Sequence, residues 1–339
     1  MGEGGPGHSG SVSGSLPIAH GGDLDAARAL FPEAPAPWVD LSTGINPVPY
    51  PCPPLEASAF RRLPSPADLA ALNAAAARAY GVADPAGIVA APGTQILIET
   101  LPRLWPPARV AVVGPTYAEH AAAWGRAGHA VAAVTDLGAD ADVMVVVNPN
   151  NPDGRTWDAA ALLACAEGLA ARGGLLVVDE AFADLEAVET LGPHLRPGLV
   201  VLRSFGKTYG LAGLRLGFAL AEPAFAARIA EALGPWAVSG PALAIGRAAL
   251  SDPDWRRTAA AARSADAGRL DRMIARSGGR VVGGTCLFRT ADFSDGPGLF
   301  ARLGEAGIYV RRFEAAPRRL RFGLPADKTE WCRLSRVLR

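Results

Sequence analysis

The sequence predicts an α/β fold with one large and one smaller domain. From residue 109 onwards, short apolar strands alternate with helical segments, a pattern typical of a parallel sheet covered by helices. The chain has 339 residues, half of them hydrophobic, and therefore exceeds the usual size of a single domain. Its last stretch, residues 281–339, shows strands and helices on a smaller scale.

The first third of the chain supplies helices and two extended segments. A helix at 23–28 has aspartate near its start, and an extended segment at 39–47 ends at a proline, which disfavours helix before it. A helix at 68–80 is ended by Gly81, a good C-terminal stop. The remaining elements predicted here are an apolar run at 87–91 and a helix at 96–104.

The rest of the chain supplies the alternating pattern. Strands are predicted at 109–113, 142–147, 174–178, 199–202 and 216–220, and helices up to Trp124 and at 156–171, 241–250 and 254–277. The C-terminal region adds strands at 286–289, 308–311 and 320–324, with helices at 298–306 and 328–337.

Composition excludes several functional classes. The 33 basic and 33 acidic residues cancel, which does not favour nucleic acid as a partner. No apolar run reaches membrane-spanning length, and the Gly/Ser-rich residues 1–16 look like a flexible leader without an apolar signal segment. We therefore expect a soluble cytoplasmic protein. The four cysteines lie far apart without metal-type spacing, so we expect them to be reduced and no metal to be bound.

One glycine-rich stretch, residues 201–218, contains several residues with reactive or charged side chains. It contains Ser204, Lys207 and Arg215, and its glycines keep the backbone open to a close ligand. The chain has only two lysines, Lys207 and Lys328. A Schiff base with an aldehyde cofactor requires an amine, which guanidinium cannot replace. Lys328 lies in a polar run typical of an exposed helix start, whereas Lys207 is flanked by small residues.

Polar and aromatic side chains follow several predicted strands. Tyr117 comes just after one strand, where open α/β sheets place their ligands; the alternative is a loop aromatic that covers the core. Asn151 lies in a rigid turn after the next strand. Asp179 and Glu180 follow a third, and a buried unpaired carboxylate is costly. Exposure to solvent is more plausible for Glu180 than for Asp179. Asp179 therefore needs a cationic partner.

These motifs resemble those of fold-type I pyridoxal-phosphate enzymes, the aspartate aminotransferase superfamily. The resemblance rests on Gly93-Thr94, Tyr117, Asn151-Pro-x-Gly, Asp179 and Ser204-x-x-Lys207 followed by Arg215, in the superfamily's order. It implies a doubly wound, mostly parallel sheet domain with a second, smaller α/β domain. The implied division is a leader at 1–16, a segment at 17–48 that joins the small domain, a pyridoxal-phosphate domain at 49–250 and a small domain at 251–339.

The resemblance also implies roles for site residues. Lys207 would bind the aldehyde of pyridoxal 5'-phosphate, and Asp179 would pair with its ring nitrogen. Tyr117 would stack on the ring and Asn151 would hydrogen-bond its phenolic oxygen. The residues implied at the cofactor phosphate are Gly93, Thr94, Gln95, Ser204 and Arg215, and those implied at the substrate are His20, Thr43, Gly44, Asn46, Asn151, Arg311 and Arg321. Arg321 would bind the substrate carboxylate and Arg311 a substrate phosphate.

Within the superfamily, the chain resembles the histidinol-phosphate aminotransferase subgroup and, more closely, the threonine-phosphate decarboxylases of cobalamin synthesis. The closer likeness rests on His20-Gly-Gly, residues 42–47, Phe182 and Pro235-Trp236. It implies decarboxylation of L-threonine O-3-phosphate in a homodimer. A transaminase acting on histidinol phosphate is the alternative. A non-catalytic regulator is disfavoured because no DNA-binding segment is present.

Two positions depart from the superfamily pattern. Phe182 replaces a tyrosine that would hydrogen-bond the cofactor's phenolic oxygen. Leu63 replaces a tyrosine that would reach the cofactor phosphate of the neighbouring subunit. We therefore expect two contacts of the wider superfamily to be missing here.

Overall fold

The computed structural model describes residues 20–339. The predicted leader at 1–16 lies outside the described residues. The strands are β1 (Val39–Leu41), β2 (Ile88–Ala91), β3 (Arg109–Val113), β4 (Ala130–Val134), β5 (Val143–Val147), β6 (Leu175–Asp179), β7 (Leu199–Ser204), β8 (Gly217–Ala221), β9 (Arg280–Thr285), β10 (Phe288–Asp292), β11 (Ile308–Arg312) and β12 (Arg319–Gly323).

The helices flank these strands on both sides of the larger sheet and on the smaller one. They are α1 (Leu24–Leu30), α2 (Ser58–Arg61), α3 (Pro66–Tyr80), α4 (Thr94–Arg103), α5 (Ala118–Arg126), α6 (Ala159–Ala170), α7 (Phe205–Thr208), α8 (Pro223–Leu233), α9 (Gly240–Leu250), α10 (Pro253–Arg276), α11 (Gly296–Glu305) and α12 (Lys328–Val337). Between residues 20 and 339, no helix is long and apolar enough to cross a membrane.

A seven-stranded sheet forms the large body, in the order β2-β8-β7-β6-β5-β3-β4. Only β8 runs against its neighbours; the pairs from β7 to β4 are parallel. Strand β5 shows why both faces are covered. Val143 and Val145 pack into one hydrophobic layer, whereas Met144 and Val146 pack into the other, as the alternation of side chains along a strand requires.

A five-stranded sheet, in the order β1-β11-β12-β10-β9, forms the smaller body. Strand β1 is supplied from the N-terminal part of the chain and pairs with β11 in parallel. This pairing supports our proposal that the segment at 17–48 joins the small domain, and the predicted boundaries at 49–250 and 251–339 remain a proposal.

The backbone of the turn after β5 lies close against the backbone of β9. A Cβ at Gly154 would lie 2.0 Å from the carbonyl oxygen of Gly284, and one at Gly283 would lie 2.0 Å from that of Asp153. Next to this contact, the Thr290 hydroxyl donates to the carbonyl of Pro152 at 2.5 Å. The absence of side chains at the two glycines therefore lets the small sheet contact the turn that carries Asn151.

Most predicted elements agree with the structure, but one strand was misplaced and five elements were missed. The strand predicted at 286–289 was wrong: residues 286 and 287 form the turn between β9 and β10. Strand β9 was missed because two glycines interrupt its alternation. Strand β4 was missed because it is a partly exposed, Ala-rich edge strand. The two four-residue helices α2 and α7 and the longer helix α8 were not predicted either.

Candidate active site

The carboxyl ends of the parallel strands open onto a cavity of about 350 Å³. Strand order reverses between β3 and β5, because β4 lies beyond β3 while β6 lies beyond β5. Open α/β sheets bind ligands at this kind of edge. The predicted site residues that line the cavity are Thr43, Gly93, Thr94, Gln95, Tyr117, Asn151, Asp179, Ser204, Lys207 and Arg215.

Lys207 is the amine of this cavity. It lies on α7, a four-residue turn directly after β7. Burial, and then the positive charge of Arg321, lowers the pKa of Lys207 to about 8, because a low-dielectric site disfavours the charged amine. The Phe182 ring centroid lies 5.4 Å from Nζ. A substantial neutral fraction near physiological pH makes Lys207 a competent nucleophile.

An anion-binding set of donors lies at the start of α4. Gly93 caps this helix with a φ of 86°, and the first N–H groups of a helix have no intrahelical partner and favour negative charge. A Cβ at Gly93 would lie 2.6 Å from a guanidinium nitrogen of Arg215. Glycine therefore allows the guanidinium to lie against the helix start. With the Ser204 hydroxyl on the same cavity wall, these donors suit a phosphate.

Asp179 is buried at the cavity wall and has a histidine as its partner. It is 4% exposed; Oδ1 accepts the Ala181 N–H at 3.0 Å, and Oδ2 lies 2.9 Å from Nε2 of His120. The sequence did not identify His120 as a hydrogen-bond partner of Asp179. The available signal was the position of His120 on the helix just after Tyr117, which places it near the same edge of the sheet.

Tyr117 and Asn151 are held by hydrogen bonds at the cavity wall. The Tyr117 hydroxyl donates to Oε1 of Gln95 at 3.2 Å, and burial raises the pKa of Tyr117 to about 12. Asn151 Oδ1 accepts a hydrogen bond from the guanidinium of Arg321. Because its oxygen is engaged, the Asn151 NH₂ is left to donate to a ligand.

A smaller cavity of about 170 Å³ adjoins the first and shares Gly21, Tyr117 and Asn151 with it. His20, Arg311 and Arg321 line this smaller cavity. Arg321 donates to the Ser42 carbonyl at 2.8 Å, and its buried Nε has no hydrogen-bond partner among residues 20–339. Burial and the nearby charge of Arg311 lower the pKa of Arg321 to about 10. This cavity is therefore rich in cationic donors.

His20 is held by an acidic residue that the sequence did not single out. Nε2 of His20 lies 2.9 Å from Oε1 of Glu119. The other oxygen of Glu119 accepts from Arg126 at 3.3 Å. Glu119 is only 7% exposed, so this pair fixes His20 at the edge of the smaller cavity.

Gly44 and Asn46, predicted at the substrate, line neither of these two cavities. A Cβ at Gly44 would lie 2.8 Å from the ring of Phe182, so this glycine permits close packing. Asn46 is 2% exposed and donates through Nδ2 to the Thr208 carbonyl at 3.0 Å. Its described contacts are therefore with the protein itself.

The interpretation of Glu180 as a solvated carboxylate was wrong. Glu180 is 1% exposed and forms an ion pair with Arg203, which is also buried. The two residues lie at the ends of neighbouring strands. Each side chain compensates the charge of the other, because a buried charge is costly without a partner. This pair was not predicted because Glu180 directly follows β6 whereas Arg203 lies on β7, and pairing between strands leaves no local pattern in the sequence.

The sequence matches a family model described as aminotransferase class I and II over residues 54–332. The chain belongs to this family. It is similar to a threonine-phosphate decarboxylase from Pseudomonas aeruginosa, with 42% identity over 327 residues. The match covers 95% of this chain and 97% of that protein. A threonine-phosphate decarboxylase from Sinorhizobium is 45% identical over 333 residues, covering 96% and 98%.

A solved structure shows the same fold. The crystal structure of histidinol-phosphate aminotransferase from Sinorhizobium meliloti in complex with pyridoxal-5'-phosphate superimposes with a TM-score of 0.78 at 24% identity, covering 96% of this chain and 94% of that one. This likeness, together with the two sheets described above, confirms the predicted α/β fold of fold-type I enzymes for this chain.

The donor set fits a phosphorylated aromatic aldehyde. The α4 terminus and Arg215 suit its phosphate, Tyr117 offers a flat ring, and Asp179 suits a protonated ring nitrogen. Because Gly93 has no side chain, the Arg215 guanidinium lies against the start of α4, so both groups of donors can reach one anion. Lys207 supplies the amine that an aldehyde requires.

The ionisation of Lys207 gives a first prediction. Because its pKa is lowered to about 8, the neutral fraction should increase as pH rises through about 8. We expect the yield of Lys207 adduct, formed from ligand-free protein with pyridoxal phosphate and trapped with borohydride, to rise with a midpoint near that pH. Peptide mass spectrometry measures the yield, and the exposed Lys328 is an internal reference. An adduct yield at Lys207 that is flat across this range would contradict the prediction.

Gly93 gives a second prediction, with Gly128 as its control. Both have positive φ, 86° and 89°, but a Cβ at Gly128 meets nothing within 4 Å. Gly93→Ala should push Arg215 away and weaken pyridoxal-phosphate binding by about 1–3 kcal/mol, or about 5- to 150-fold. Gly128→Ala should cost only backbone strain. Absorbance titration measures both dissociation constants, and equal values for the two variants would refute the steric explanation.

Proposed function

We propose that this protein uses pyridoxal 5'-phosphate to decarboxylate L-threonine O-3-phosphate to (R)-1-amino-2-propanol O-2-phosphate and CO₂, a step of cobalamin synthesis. The observation that carries the proposal is the identity of 42% and 45% to two threonine-phosphate decarboxylases over nearly the whole chain. The arginine-lined cavity beside Lys207 supports it, because this substrate carries both a carboxylate and a phosphate.

The residues that would hold the cofactor follow from the donor set. Lys207 would bind its aldehyde, Arg215 with Ser204 and the start of α4 its phosphate, and Asp179 its ring nitrogen. When bound, the cofactor withdraws electrons from the substrate's Cα and so allows CO₂ to leave. The His120–Asp179 hydrogen bond at 2.9 Å would keep the carboxylate oriented toward the ring nitrogen. Phe182 offers no hydroxyl at this site.

The other residues would bind and orient the substrate. Arg321 is fixed by Asn151 and by the Ser42 carbonyl, and its unpartnered buried Nε suits a carboxylate. Arg311 and His20, which line the same smaller cavity, suit the substrate phosphate. Lys207 is the only lysine on either cavity wall, and it is therefore our candidate for returning a proton to Cα after CO₂ leaves.

A direct assay tests this function. Purified protein with pyridoxal phosphate and L-threonine O-3-phosphate should release CO₂ and the phosphorylated amino alcohol, both followed by mass spectrometry. Lys207→Arg keeps a positive charge but removes the amine, and should lower turnover by at least about 10²-fold.

The same preparation, given histidinol phosphate and 2-oxoglutarate, should form no glutamate. Glutamate formation without CO₂ release would instead assign the alternative activity, a histidinol-phosphate aminotransferase. The two assays share one protein sample, so inactivity in one cannot be attributed to misfolding when the other succeeds.

We also propose that the protein acts as a homodimer in the cytoplasm. An apolar surface supports the dimer: Phe60 and Leu63 are each 68% exposed and Trp236 is 59% exposed. Leu63 and Trp236 flank neighbouring cavities that share Pro64 and Ser65. Isolated exposed apolar residues need no explanation, whereas a group of them indicates an interface.

Leu63→Asp tests the dimer. Light scattering should give twice the chain mass of 34.9 kDa for the unmodified protein, and Leu63→Asp should shift the population toward the single-chain mass because a charge in an apolar interface is costly. Leu30→Asp is the control, since Leu30 is 51% exposed on α1. A single-chain mass for the unmodified protein would refute the dimer.

A further inference from the structure

The helical turn that carries Lys207 is short and cannot maintain its own geometry. Helix α7 spans four residues and has no side-chain cap. One isolated turn fixes several backbone dihedrals for a single hydrogen bond and is unstable alone. The position of the Lys207 amine therefore depends on bonds from other elements to this turn.

A buried ionic network contacts the turn from one side. Thr208 donates its hydroxyl to Oδ2 of Asp184 at 2.9 Å. The other oxygen of Asp184 pairs with Arg203, which also pairs with Glu180. The side chains of Arg203, Glu180 and Asp184 are each 3% exposed or less, and none of them lines the cavity.

This network is held firmly in place. Glu180 accepts the Leu191 N–H at 2.8 Å, and the guanidinium of Arg203 lies 4.5 Å from the ring centroid of Tyr80. Burial raises the pKa of Glu180, although the charge of Arg203 opposes this. Because a buried charge is costly without its partner, Asp184 stays paired with Arg203. Its carboxylate is therefore a fixed acceptor for the Thr208 hydroxyl.

Asn46 contacts the turn from the N-terminal segment. Its backbone N–H donates to the Lys207 carbonyl at 2.9 Å, and its Nδ2 donates to the Thr208 carbonyl at 3.0 Å. Its Oδ1 accepts from Arg263 of α10 at 3.2 Å. Two successive carbonyls of the turn are thus bound by one residue, which is itself held by a third element.

We propose that Asn46, Asp184 and Thr208 are positioning residues that hold the Lys207 turn, Asn46 through its carbonyls and Asp184 through the Thr208 hydroxyl. The inference deepens the proposed function and rests on it. It gives Asn46 a role that differs from the substrate contact predicted from the sequence. None of the three side chains touches the cavity, so each acts on the chemistry only through the placement of Lys207.

A matched pair at position 208 tests the inference. Thr208→Val keeps the side-chain shape but removes the donor to Asp184, and Thr208→Ser keeps the donor. Because misplacement of a reacting group by about 1 Å can cost about 10²-fold, we expect Thr208→Val to lower kcat about 10- to 100-fold with little change in KM. Thr208→Ser should restore most of the rate.

A second readout does not depend on turnover. In ligand-free protein, borohydride-trapped pyridoxal phosphate at Lys207 should show its pH midpoint shifted upward in Thr208→Val, because a loosened turn exposes the amine to water. The adduct at Lys328 should not change. A purely structural role would lower the thermal midpoint while leaving the pH midpoint at Lys207 unchanged, and that result would overturn the inference.

Asn46→Asp keeps the oxygen that faces Arg263 and removes the donor to Thr208. It should share the loss of kcat, and it keeps the test decisive if Thr208→Val does not fold. The pH midpoint is compared in Thr208→Val alone, because the carboxylate added at position 46 itself raises the pKa of Lys207. Failure of the proposed function is distinguishable: the unmodified protein would then form the Lys207 adduct without releasing CO₂. Unchanged kcat in both variants and an unchanged pH midpoint in Thr208→Val, in an active enzyme, would refute the positioning role alone.

Discussion

Burial of one amine is the constraint on which the rest of this site depends. Lys207 must be reactive while enclosed, and enclosure disfavours its charged form. Arg321 opposes the charge further, and Asp179 acts in the opposite direction. The balance leaves a pKa of about 8 beside donors suited to phosphate and carboxylate. Among residues 20–339, no carboxylate forms an ion pair with Lys207, so the site consists of groups arranged around an amine that is not neutralised by direct contact.

The sheet achieves this arrangement by alternation at strand ends. On β6, Asp179 lines the cavity while the next residue, Glu180, is buried elsewhere. On β7, Ser204 lines the cavity while the preceding Arg203 pairs with Glu180. Successive side chains of a strand point to opposite faces. The same two strands therefore supply the chemical groups on one side and the ionic support on the other.

Sequence reasoning reached the fold class, the family and the residues now gathered at the cavity because each depends on local order. Apolar runs mark buried strands, and Asp179 or Ser204 follows directly after one. The hydrogen-bond partners of these residues were harder to predict. His120 and Glu119 lie on a helix whose inward face cannot be fixed without the packed sheet, and Asn46 is 162 residues from Thr208 in the chain. Long-range pairing of this kind leaves no periodic pattern in the sequence. The exposed edge strand β4 left no such pattern either.

The backbone contact between the turn after β5 and strand β9 bears on how the cleft can open. Gly154 and Gly284 approach with no side chain between them, and Arg321 of β12 binds Asn151 on the same turn. Any outward swing of the small sheet must then carry this turn with it or break both attachments. Asn151 and Arg321 would travel as one unit, and the Lys207 turn would remain joined to them through the segment from Ser42 to Asn46.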